Sequence, residues 1–161
     1  MKLSEHTATL FLQGDERATS EVYYALRELL YFIIASYLHN KEDIDDVYQE
    51  VFLEAFASRS EVKDPKKLQS YLCALAKNRA INAAKKLSHV EPLELEDELP
   101  APEEPFALIA PSLTKKEAFV LQSRIVFSLR WEEIETLGGI PKTSAKRLYK
   151  SAIRKLKGEK S

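Results

Sequence analysis

DIDDVYQEVFLEAF, residues 43–56, decides how the N-terminal part of this chain folds. On a period of 3.6, Ile44, Val47, Tyr48, Val51, Phe52, Ala55 and Phe56 recur at i, i+3, i+4, i+7, i+8, i+11 and i+12, which is an apolar stripe for one helix face. Asp45, Asp46, Gln49, Glu50 and Glu54 fall on the other side. Taken alone, the segment is an amphipathic helix with a solvated acidic face. What that face is for depends on the rest of the chain.

Working outward, the sequence predicts helices near 17–38, 41–57 and 66–86 and, further on, near 114–128, 131–137 and 142–157. The third follows Pro65, a favoured helix-start residue, and is rich in alanine. No stretch alternates with period two, so the fold class expected is all-α. Between the two groups lies SHVEPLELEDELPAPEEPFALIAP, residues 88–111, with five prolines and no sustained stripe, which reads as an extended acidic linker. The expected organisation is a helical domain over 1–87, the linker over 88–111 and a second helical domain over 112–161.

The formal net charge of −1 hides a sharp segregation. Residues 88–111 carry seven acids (Glu91, Glu94, Glu96, Asp97, Glu98, Glu103, Glu104) and no Lys or Arg, whereas 112–161 carry twelve Lys/Arg against five Glu. Within the first domain, residues 41–54 hold six acids and one Lys, and 63–86 hold seven Lys/Arg and only Asp64. Sorting of this kind is a statement about partners. The most apolar run, YYALRELLYFIIASYL, is interrupted by Arg27 and Glu28, so no membrane insertion is expected. The start, MKLSEHTATL, has no basic-then-apolar pattern, and the single cysteine, Cys73, fits a reducing, cytoplasmic setting. His6, His39 and His89 are scattered without a second thiol, so neither a metal nor a cofactor is expected. No nucleophile with its base, no carboxylate pair beside a histidine and no phosphate-cradling glycine loop suggests an enzyme.

WEEIETLGGIPKTSAKRLYKSAIRKLK, residues 131–157, reads as a short helix, a glycine-containing turn and a longer helix, the layout of a helix-turn-helix. In the longer helix Ala145, Leu148, Tyr149, Ala152, Ile153 and Leu156 are expected to pack inward. Lys142, Thr143, Lys146, Arg147 and Lys150 are left on the outward side near its start, where a recognition helix meets phosphates and base edges.

Three segments in order, GDERATSEVYYALRELLYFIIASYL with DIDDVYQEVFLEAF, LQSYLCALAKNRAINAAKK, and LTKKEAFVLQSRIVFSLRWEEIETLGGIPKTSAKRLYKSAIRKLK, resemble the extracytoplasmic-function (ECF) sigma factors of the bacterial sigma-70 family, built from region 2 and region 4. The resemblance implies an RNA polymerase sigma factor, acting in transcription initiation and transcription regulation through DNA-binding. It implies that Asp46, Gln49 and Glu50 dock on the β′ coiled coil of the RNA polymerase core. It implies that Tyr71, Lys77, Asn78, Arg79, Lys85 and Lys86, with Lys63, Lys66 and Lys67 before them, handle the −10 element around a loop near 58–68, Tyr71 standing where the family usually has tryptophan. By the same resemblance Lys142, Thr143, Lys146, Arg147 and Lys150 would read the −35 element of promoter DNA, the linker would thread toward the RNA exit path, and an anti-sigma factor is admitted as a further partner. Departures from the family pattern are Glu135 for a small residue, Gly138 for an apolar one, which removes a buried side chain, and Asn82 for aspartate. Two other readings stay open: a helix-turn-helix regulator that binds duplex DNA without polymerase, and a sigma mimic that captures an anti-sigma partner.

Overall fold

The computed structural model describes residues 3–90 and 112–158, of which 88–90 as backbone only. Of the linker expected over 88–111, residues 91–111 lie outside the described residues. The chain divides into two compact units, Met1–Pro102 and Glu103–Ser161, each taken by itself below. Both are helical, with no strand among the described residues.

In the first unit the helices are α1 (Glu5–Leu12), α2 (Glu16–Ala25), α3 (Arg27–Ala35), α4 (Lys41–Ala57) and α5 (Leu68–Val90). Short polar side chains start them by accepting orphan backbone N–H groups. Ser4 accepts from Thr7 at 3.1 Å, Asp15 from Ala18 at 2.9 Å and Asn40 from Glu42 at 2.8 Å. Three differences from the sequence reading stand out. The helix expected over 17–38 is broken at Leu26, whose φ of −99° and ψ of 1° leave the helical region. The helix expected over 66–86 starts at Leu68, after a 3-10 turn over Pro65–Lys67 that Asp64 caps, and runs to Val90, past the expected start of the linker. Helix α1 was not foreseen, because eight residues give too short a window for a period to declare itself.

Helix α4 buries Ile44, Val47, Tyr48, Val51, Phe52 and Ala55 against α3 and α5, as its stripe predicts, with Phe56 half-buried. Leu30, Ile33, Ile34, Leu68, Leu72, Ala76 and Ala80 complete the core. Each fully buried large apolar side chain contributes roughly 1.5–3 kcal/mol, so this layer outweighs any single surface ion pair. Phe11 of α1 closes the end of the core, edge-on to Phe52 and Phe56 at 5.9 and 6.0 Å. The turn out of α1 depends on Gly14, at φ +85°, where an added Cβ would lie 3.2 Å from the Arg59 guanidinium. Arg59 is itself fixed, donating to the Phe56 carbonyl at 2.7 Å and lying 4.2 Å over the Phe56 ring.

The second unit contains α6 (Lys115–Ile125), α7 (Trp131–Gly138) and α8 (Lys142–Leu156). A capping box, Thr114 with Glu117, opens α6. Gly139, at φ +67°, ends α7 in the left-handed conformation and turns the chain into α8. Val120, Leu121, Leu129, Ile134, Leu137, Ile140, Ala145 and Ala152 are buried. Gly138 leaves no hole, because a Cβ there would stand 2.5 Å from the Phe119 ring, which takes up the space. The inward face expected of α8 is narrower than read: Ala145 and Ala152 are buried, Leu148, Tyr149 and Ile153 are half-buried, and Leu156 is exposed.

Glu117 is buried and accepts from Lys155 at 2.8 Å, Ser151 at 2.5 Å and the Thr114 backbone N–H at 2.9 Å, which ties α6 to α8. Burial pushes this carboxyl up, but the Lys155, Ser151 and Thr114 bonds and the Lys155 charge together pull it down from 4.5 to about 2. A carboxylate with a depressed folded-state pKa contributes stability above its unfolded pKa and loses it as pH falls toward the folded value.

Three outcomes follow. Stability of the second unit, read by fluorescence of Trp131, the single tryptophan, should fall between about pH 4.5 and 2; Lys155→Met should cost about 1–3 kcal/mol at neutral pH and flatten that fall. Gly14→Ala should cost about 1–3 kcal/mol through its left-handed backbone, read as a lower melting temperature by circular dichroism.

Candidate functional site

On α4 the stripe that fills the core forces its complement outward. Asp46, Gln49 and Glu50 are all exposed and lie one turn apart on the same face. Leu53 continues that face at 71% exposure, an apolar residue on a side that the sequence reading treated as purely polar. Asp45, next in the chain to Asp46, is drawn inward instead and accepts from the Tyr31 hydroxyl. Burial first, then the bond to Asp45, pushes Tyr31 up to about 12, so it stays a neutral donor.

Beneath this face sits an aromatic cluster from α2, α3 and α4. Tyr23 lies 5.1 Å from Tyr24, 5.0 Å from Tyr48 and 5.0 Å from Phe52, and Tyr31 lies 4.9 Å from Tyr48. Such edge-on and tilted pairs add stability beyond burial. The Tyr48 hydroxyl donates to the Tyr23 backbone carbonyl, and the Gln49 amide nitrogen donates to the Tyr23 hydroxyl at 2.7 Å. Tyr23 and the exposed Tyr24 were missed as site residues, since an aromatic in an apolar run carries no one-dimensional sign of the helix it faces.

Helix α5 presents a second face. Asn78, Asn82, Lys85 and Lys86 are exposed on one side, and Lys63, Lys66 and Lys67 are exposed ahead of the helix. Arg79 is turned from this group by an ion pair with Glu54 of α4. Lys77 is half-buried. Tyr71 is half-buried too, with its hydroxyl sharing a hydrogen bond of 2.6 Å with Ser58 at the end of α4, so its ring is held rather than free. Cys73 is buried.

In the second unit Lys142, Thr143, Lys146, Arg147 and Lys150 are all exposed along α8. Lys142 pairs with Glu132 at 3.5 Å; among the described residues Lys146, Arg147 and Lys150 form no ion pair. The N-terminus of α8 has no side-chain cap, Pro141 preceding it, so its first N–H groups add positive potential to that end. Glu135 is exposed on α7 and imposes no buried charge. Arg124 lies 4.5 Å over Trp131, which meets Tyr149 edge-on at 5.7 Å and braces α7 against α8.

Among the described residues no group of three or more His, Cys, Asp or Glu could hold a metal ion. No helix among them is long and apolar enough to cross a membrane.

Residues 22–90, which include α4 and α5, match the family model for Sigma-70 region 2. No curated protein matches the chain. The match spans 69 of the 161 residues, 22 to 90 inclusive, and the domain it describes is one of transcription initiation factors.

Proposed function

We propose that the chain is an alternative sigma factor of the ECF kind, in which Asp46, Gln49 and Glu50 dock on a helical coiled coil of the polymerase β′ subunit. The observation that carries this reading is the exposed acid-amide-acid face of α4 inside the segment that matches Sigma-70 region 2. Carboxylates and an amide on a rigid helix receive charge-assisted hydrogen bonds from cationic side chains, and such bonds are about twice as strong as neutral ones. Leu53 adds an apolar contact at the edge of the same face.

The −10 element then falls to Asn78, Lys85 and Lys86, with Lys77 and Tyr71 beside them. Arg79 contributes to a phosphate only after leaving Glu54, which costs little for a pair this exposed. Lys142, Thr143, Lys146, Arg147 and Lys150 face the −35 duplex, α7 and α8 acting as a helix-turn-helix of region 4. Their long cationic side chains supply phosphate contacts, and base contacts supply the selectivity. On this reading the residues after Val90, the end of α5, join the two domains and an anti-sigma factor is a further partner. The protein works in the cytoplasm, where polymerase and promoter are.

Run-off transcription with purified core polymerase on genomic fragments tests the whole reading. Asp46→Lys with Glu50→Lys should weaken retention of core polymerase more than about tenfold while leaving the melting temperature unchanged, since both side chains are exposed. Lys146→Glu with Arg147→Glu should keep retention and abolish promoter-specific transcripts. Tight duplex binding without polymerase would mark a stand-alone regulator instead, and polymerase binding with no transcript from any fragment a sigma mimic.

A further inference from the structure

We infer that Tyr23 is a positioning residue that holds the Gln49 amide with its nitrogen inward and its carbonyl oxygen outward, placing an acceptor between Asp46 and Glu50 on the docking face of α4; this rests on the polymerase-docking reading above. An exposed glutamine amide is ambiguous by nature. Its terminal torsion is soft, and it offers two N–H donors or a carbonyl acceptor depending on how it turns. Between Asp46 and Glu50, which only accept, a rotating amide would present a donor to a cationic partner half of the time.

In the structure the amide takes one of these orientations. The amide nitrogen of Gln49 is held by the Tyr23 hydroxyl at 2.7 Å, so the carbonyl oxygen, on the other branch of the same carbon, is turned away from Tyr23. Tyr23 cannot drift, because its ring is braced by Tyr24, Tyr48 and Phe52 at 5.0–5.1 Å and its backbone carbonyl receives the fully buried Tyr48 hydroxyl. The result is a row of acceptors, Asp46, Gln49 Oε1 and Glu50, within one helical turn. The matching partner surface carries donor-only cations, and a guanidinium, with several N–H groups in a fixed plane, can bridge two of these acceptors where an ammonium meets one.

The test is a double-mutant cycle on affinity for core polymerase with the full chain. Tyr23→Phe keeps the ring and removes the hydroxyl. It should weaken affinity about three- to tenfold in the native background, the worth of one hydrogen bond, and have no further effect in Gln49→Ala. A merely structural role for Tyr23 would give the same loss in both backgrounds, and that result, or no loss in the native background, overturns the inference. Should Tyr23→Phe lower the melting temperature, Gln49→Glu carries the test. A carboxylate there still accepts from both Tyr23 and the partner, so affinity should stay clearly above that of Gln49→Ala, and a loss equal to that of Gln49→Ala overturns the inference. If reversal of Asp46 and Glu50 abolishes retention while the Tyr23 cycle shows no coupling, the inference alone falls. If that reversal leaves retention intact, the docking face falls first and takes the inference with it.

Discussion

The hydroxyl of Tyr48 has no access to water and must find a partner inside the protein, and the one it finds is the backbone carbonyl of Tyr23. An unpaired buried hydroxyl would cost a few kcal/mol, so this bond is close to obligatory. It ties α4 to α2 and agrees with the rotation that the apolar stripe imposes: Ile44, Val47, Val51, Phe52 and Ala55 go to the core, and Asp46, Gln49, Glu50 and Leu53 go to the surface. The docking face proposed for polymerase is therefore the residue of a packing solution, and its rigidity comes from the aromatic layer beneath it.

A comparable constraint governs the second unit. Glu117 is a buried carboxylate that would be intolerable alone and is satisfied by Lys155, Ser151 and Thr114. Because Ser151 and Lys155 belong to α8, the pairing fixes which side of that helix looks inward. Lys146, Arg147 and Lys150 are then left without carboxylate partners among the described residues, which suits an approach to polyanionic DNA. The same logic separates two cations of α5 that look alike in sequence. Arg79 is drawn to Glu54, while Lys86 is exposed and has no ion pair among the described residues.

The positions that depart from the resemblance can each be placed in the structure. Gly138 was expected to remove a buried side chain at the end of α7, and the Phe119 ring occupies the space where its Cβ would stand. Glu135 stays in solvent. The side chain at Tyr71 is held by Ser58, which keeps an aromatic surface in a fixed place at the top of α5.

The sequence by itself determined the helical class and the inward stripe of α4. It also determined the outward set Asp46, Gln49 and Glu50 and the basic run of α8, because a period of 3.6 converts spacing into direction. It also located the turn after α7, since a left-handed helix end favours glycine. Only the tertiary structure decided the break at Leu26, the presence of α1, the exposure of Leu53 and Leu156, the capture of Arg79 by Glu54, and the grip of Tyr23 on Gln49. These are contacts between residues up to 26 apart in the chain or matters of how much of a helix face is covered. Periodicity reports which way a side chain points, and it carries no information about what waits for it there.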